Sequence, residues 1–160
     1  MVRRTYLGLG NAAAAVRAFE DLAPWAERLL RLQAAHRPMG PEDMAFGIAL
    51  DGLESCAYHF TRRRSFYDAL RAKVREQAAA GAAGAEPLAD RAQAVAAFEA
   101  LRPYAAKLRA LQGLCQPFGR DYMALQIARQ TLDSCAYHFT RLEAFYGVKG
   151  DAAGPCRQTA

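Results

Sequence analysis

The sequence predicts an all-α protein, a four-helix bundle built from two tandem helical hairpins in up-down-up-down order. Three observations carry that expectation. The chain is written twice: residues 16–67 and 95–146 align without a gap at an offset of 79, and 27 of the 52 aligned pairs are identical. In each copy apolar side chains return at three- and four-residue steps, the period of a helix with one buried face. Finally, the two periodic stretches of each copy are separated by proline and glycine, residues that interrupt helices and favour tight connections. A duplicated hairpin whose members each bury one face closes naturally into a bundle.

The first helix of copy one is marked by Ala15, Phe19, Leu22, Ala26, Leu29, Leu30 and Gln33, with Asn11 placed to cap its amino end. Pro38, Gly40 and Pro41 form the turn, matched by Pro117 and Gly119 in copy two. The second helix is expected to turn Met44, Ile48, Gly52, Cys56, His59 and Phe66 inward. Met123, Ile127, Thr131, Cys135, His138 and Phe145 are the corresponding set of copy two. A segment rich in alanine and glycine joins the copies. Residues 1–147 then form one domain, with repeat one at 11–80, a linker at 81–87 and repeat two at 88–147, and residues 148–160 form a flexible tail. Residues 68–80 can prolong the second helix, so that the centre of the chain protrudes.

Composition narrows the class of function. With 52% hydrophobic and 23% charged residues in 160, the chain has enough apolar surface for a real core and is not disordered. Charge breaks every apolar stretch short of the roughly 20 residues of a membrane span. The opening Arg3-Arg4-Thr5-Tyr6-Leu7 has the charge order of a secretion signal, but weakly apolar alanines follow it, and a cytoplasmic location is expected. The net charge of +5 divides into +3 for residues 1–80 and +2 for residues 81–160, so neither half is a basic module. The run Arg62-Arg63-Arg64 becomes Arg141-Leu142-Glu143 in copy two, and a solvated helix end explains it more simply than a nucleic-acid contact.

The residues that carry chemistry are the twin Cys-x-x-His pairs. Parallel second and fourth helices would set His59 and His138 at one depth, with Cys56 and Cys135 beside them. Two thiols and two imidazoles are the donor set that zinc and copper prefer, and two imidazoles alone suit a haem between the helices. A structural role competes with this. Pro24 and Pro103 leave the carbonyls of Glu20 and Glu99 without a helical donor, and an inward imidazole at the same depth can supply one. Glu20 and Glu99 fall on the solvent side, which argues against a di-iron site. A Cys56–His59 nucleophile lacks an exposed thiolate and an orienting third group. Tyr58, Tyr137, Tyr67 and Tyr146 suit helix flanks with their hydroxyls in water. The expected function is therefore a non-enzymatic interaction protein binding a protein partner, with Trp25, Phe46 and Leu125 as its contact patch. Metal or haem binding through the twin pairs is the alternative.

Overall fold

The structure, a computed structural model, describes residues 8–147 and among these contains seven α-helices and no strand; the flexible tail expected at 148–160 lies outside the described residues. The first helix, α1 (Ala12–Glu20), begins where the side chain of Asn11 accepts a hydrogen bond from the amide of Ala14 at 2.9 Å. It stops at Asp21, and α2 (Ala23–Ala34) starts afresh with Pro24 in its first turn, the one place where a missing amide costs nothing. Pro24 thus opens a helix instead of interrupting one. The third helix, α3 (Pro41–Thr61), likewise has proline at its start, carries Glu42 and Asp43 in its first turn, and ends on Arg62 in the left-handed conformation.

After α3 the chain does not continue straight, contrary to the prolonged helix that the composition suggests. The Glu54 carboxylate accepts the amides of Phe66 and Tyr67 at 2.8 and 3.0 Å and turns the backbone, so that α4 (Asp68–Ala79) lies back against α2. The linker does not protrude either. Arg31 donates to the carbonyl of Ala83, and His36 Nε2 accepts the amide of Leu88, both at 3.1 Å, which ties the linker down on α2.

The second half repeats this pattern with α5 (Arg91–Ala100), α6 (Arg102–Gly113) and α7 (Arg120–Thr140). Asp90 caps α5 and Pro103 opens α6. Contacts recur at positions 79 residues apart. Phe19 meets Phe60 with ring centroids 5.7 Å apart, and Phe98 meets Phe139 at the same distance. Tyr67 donates its buried hydroxyl to the carbonyl of Phe19 at 2.6 Å, and Tyr146 to that of Phe98 at 2.6 Å. These tyrosines are core pins and not the half-wet flanking residues expected. They reach the carbonyls of Phe19 and Phe98, one residue before the Glu20 and Glu99 carbonyls that an inward histidine was expected to serve, and neither His59 nor His138 makes that bond.

The two halves meet chiefly through α3 and α7. Along α3, Phe46 packs on Phe139 at 4.8 Å, Gly52 faces Thr131, and His59 donates to Asp121 at 2.7 Å. Rising numbers on α3 meet falling numbers on α7, so the two helices are antiparallel neighbours. The parallel diagonal arrangement expected of an up-down-up-down order is not what the halves adopt. Ala45, Ala49, Gly52 and Ala128 are small and let the two backbones pass closely in this antiparallel arrangement. The core lies on the other side of this pair, where α1 and α2 cover α3 while α5 and α6 cover α7.

Candidate interaction face

The four residues named for a metal site are not gathered. His59 bonds Asp121, which lies nearly five turns before His138 on α7, a separation of roughly 25 Å at 1.5 Å per residue. The two imidazoles therefore stand toward opposite ends of the molecule, each edge-on to the ring that follows it, Phe60 or Phe139. Cys56 and Cys135 are buried, and burial pushes both thiols well above their ordinary range, so neither is a ready thiolate. Cys115 and Asp121 add to that effect at Cys56. Among the described residues no three His, Cys, Asp or Glu side chains stand close enough to hold a metal ion. The antiparallel packing is the physical cause, since it carries matching positions apart instead of bringing them level.

The unpaired twin positions His36 and Cys115 are also structural. His36 Nδ1–H donates to the Leu32 carbonyl at 2.7 Å, which leaves Nε2 to accept from Leu88. Cys115 makes the same backward contact, its thiol reaching the Leu111 carbonyl at 3.5 Å.

A cleft of about 770 Å3 lies between α5–α6, α7 and residues 141–147. Most of its charged groups are engaged by the protein itself. Arg102 holds Glu99 through two bonds of 2.8 and 2.7 Å and covers the rings of Phe145 and Tyr146. Asp133 accepts the amide of Tyr146 at 3.1 Å, and burial raises its carboxyl above the usual range. Arg129 donates to the side chain of Gln112. Arg102, Arg109 and Arg129 stand where the first half has Ala23, Leu30 and Leu50. In that half α4 lies on α2; here the matching surface has become charged. The cleft reads as a solvated face, not as a pocket prepared for a ligand.

What the core contacts leave uncovered is the outer side of α3 and α7. Met44 and Ile48 are 59% and 53% exposed, and Met123 and Ile127 are 44% and 49% exposed. Tyr58 and Tyr137 continue the two stripes, beneath Arg62 and Arg141, whose guanidinium carbons stand 5.7 and 5.8 Å from the ring centroids. Ser55 and Ser134 are exposed between them. Single apolar residues on a surface need no explanation, but a set aligned on two adjoining helices does.

This face reverses the expectation from periodicity. Phe46 and Leu125, expected as the contact patch, are fully buried, and Trp25 packs against the core. Met44, Ile48, Met123 and Ile127, expected inside, are the exposed set. The signal that separates them is side-chain bulk along the helix. Phe46, Leu50, Leu53 and Phe60 recur at four, three and seven residues and mark the true buried side of α3, about a quarter turn or more from the Met44–Ile48 stripe.

Backbone strain marks the turns that lead into the same two helices. Met39 and Phe118, just before α3 and α7, hold φ of 62° and 60° and are 85% and 83% exposed. Bulky apolar residues gain nothing from water and pay about 1–2 kcal/mol in the left-handed region, where asparagine or glycine sits more easily. They flank the α3–α7 pair at its two ends.

No known protein family, curated protein or solved structure matches the chain. Among the described residues no helix is long and apolar enough to cross a membrane.

Proposed function

We propose that the chain is a non-enzymatic helical interaction protein, a tandem duplication folded as a four-helix bundle, which binds a protein partner through the outer face of α3 and α7. The observation that carries this reading is the exposed set Met44, Ile48, Met123 and Ile127, aligned on two adjoining helices and bordered by two strained apolar turns. Methionine suits such a surface because its flexible thioether adapts to whatever it meets. Suppressed ionisation of Cys56 and Cys135, and the engaged charges of the large cleft, support binding over catalysis. Free thiols at Cys56, Cys115 and Cys135 fit a reducing compartment such as the cytoplasm.

The test is a paired substitution, Ile48→Asp with Ile127→Asp. Both side chains are half exposed, so helical content and melting temperature should stay close to those of the parent. Recovery of a partner by a tagged chain from its native extract should fall at least about tenfold, the effect of roughly 1.4 kcal/mol. Unchanged recovery with an intact fold rejects the face.

A further inference from the structure

Resting on that reading of the face, we infer that its occupant is a second copy of this chain, joined through α3 and α7 as a twofold dimer. The argument begins with the internal symmetry. Gly52 and Thr131 hold equivalent positions in the two halves and touch where α3 crosses α7. Two antiparallel helices that exchange places by a half-turn do so about an axis normal to the plane containing them. That axis passes through the Gly52–Thr131 contact and leaves the outer face on the outside. Met44 and Ile48, toward one end of the helix pair, are thereby carried onto Met123 and Ile127, toward the other end of the same outer face.

A patch with its own twofold is suited to meet an identical patch. When two such surfaces close about an axis that lies in the interface along the line joining the two methionine and isoleucine clusters, each cluster of one copy faces its counterpart in the other, and the contact is closed instead of propagating into a filament. A partner of unrelated sequence needs no such symmetry. Yet the exposed positions keep it: Met44 and Met123, Ile48 and Ile127, Ser55 and Ser134, and Tyr58 and Tyr137 are identical pairs in a chain that has let 25 of its 52 aligned pairs diverge. Packing within one chain accounts for the tyrosines, which lie beneath Arg62 and Arg141, but not for identity at the exposed Met44, Ile48 and Ser55 positions and their twins. Two chains packed face to face set both halves in one interface, where equivalent side chains do equivalent work.

Charge and size are compatible. Asp51 lies exposed near the centre of the stripe and its twin is the neutral Gln130, so the centre of the pairing brings only one such carboxylate from each copy. Helices of 21 residues are about 31 Å long, and two of them side by side present a projected footprint of roughly 600 Å2. Side-chain relief brings this near the 800 Å2 or so that each partner buries in an interface of standard size.

Sedimentation equilibrium on the full-length chain tests the inference. The expected result is a species of twice 17.5 kDa that dissociates on dilution. Ile48→Asp/Ile127→Asp should sediment as a monomer with unchanged helical circular dichroism, and so should Ile48→Lys/Ile127→Lys. An equal mixture of the two variants should pair again, because opposite charges now meet across the face. A parent chain that stays monomeric overturns the second copy as occupant, as does a dimer that survives either double substitution. If the parent is monomeric and the Asp variant still loses a partner from extract, another protein uses the face and only the occupant is wrong. If that recovery is also unchanged, the face itself falls.

Discussion

Gly52 and Thr131, the same position in the two halves, are in contact where α3 and α7 cross. A β-carbon built on Gly52 would overlap Thr131 Oγ1 and lie 2.9 Å from its Cβ. Thr131 has little freedom to withdraw, since it is β-branched and its hydroxyl donates back to Ile127 or Ala128 at 3.0 Å. The approach of the two backbones is thus set by having one side chain at this point instead of two. Gly52→Ala is expected to cost about 1–3 kcal/mol by overpacking. Gly52→Ala combined with Thr131→Gly restores a single side chain at the crossing and should recover most of that loss. Denaturant unfolding of the two single variants and the double variant reads the coupling directly. Additive losses would mean that the helices do not cross at this pair.

The buried tyrosines give a second expectation. Tyr67 and Tyr146 each send a hydroxyl into the notch where one helix stops and the next begins, and burial pushes both phenols well above their ordinary range. Each target carbonyl also accepts a backbone amide, from Leu22 at 3.2 Å or Leu101 at 3.1 Å, so removing the hydroxyl does not strand it completely. Tyr67→Phe and Tyr146→Phe should therefore each cost about 1 kcal/mol, near the mean for one hydrogen bond. The pins are far apart and the two losses should add. A neutral result at both sites in thermal unfolding would remove them from the account of what fixes the helix breaks.

Periodicity and punctuation showed where the chain is helical, down to the cap at Asn11 and the turns at Gly40 and Gly119, but not the breaks at Asp21, Leu101 and residues 62–67 that make seven helices of the expected four. The rotation of α3 and α7 about their own axes was not readable in the same way. With Phe46, Leu50 and Leu53 on one side and Met44 and Ile48 on another, apolar residues run almost round α3, and a periodicity centred on Ile48 fits nearly as well as the true one. That error turned the contact face inward. The relative direction of the two halves was hidden for another reason. It depends on which small residues meet across α3 and α7, a property of pairs that no single periodic pattern contains. Tyr67 looked like a flanking residue because its partner, the Phe19 carbonyl, is a backbone atom 48 residues away.

Separation of the twin histidines leads to a third expectation. His59 holds Asp121 across the α3–α7 contact, with side chains 19% and 26% exposed, whereas His138 packs edge-on to Phe139. His59→Ala should cost about 1–2 kcal/mol, in keeping with a partly wet hydrogen bond to a charged group, and His138→Ala less. Neither change should alter metal content. Calorimetric titration with zinc should show no site requiring both histidines, and a chelator should leave the melting temperature unchanged. A stoichiometric zinc site lost in either histidine variant would show that the two ends of the molecule come together in solution.

Acid should loosen α4 before the rest of the fold. Glu27 on α2 accepts from Arg31 at 2.6 Å and from Lys73 on α4 at 3.1 Å, and these bonds hold its carboxyl below the ordinary value, the Arg31 bond most strongly. Arg31 in turn donates to Gln77 on α4 at 2.6 Å and to the linker carbonyl of Ala83. A depressed carboxylate contributes stability that is present above its unfolded value and is lost as pH falls through its folded one, here on the acid side of the ordinary glutamate range. The pair is partly exposed, so the loss should be only about 0.5 kcal/mol globally. Locally it matters more, because α4 has one buried side chain, Val74, and only the partly buried Leu70 to add to its apolar contact. Amide exchange in residues 70–78 should rise between neutral and acid pH relative to exchange in α3, after correction for intrinsic rates. In Glu27→Gln that relative rise should be absent, because the loosened state is already present at neutral pH. Equal pH dependence in parent and variant would show that apolar contact through Leu70 and Val74, not the ion pair, keeps α4 in place.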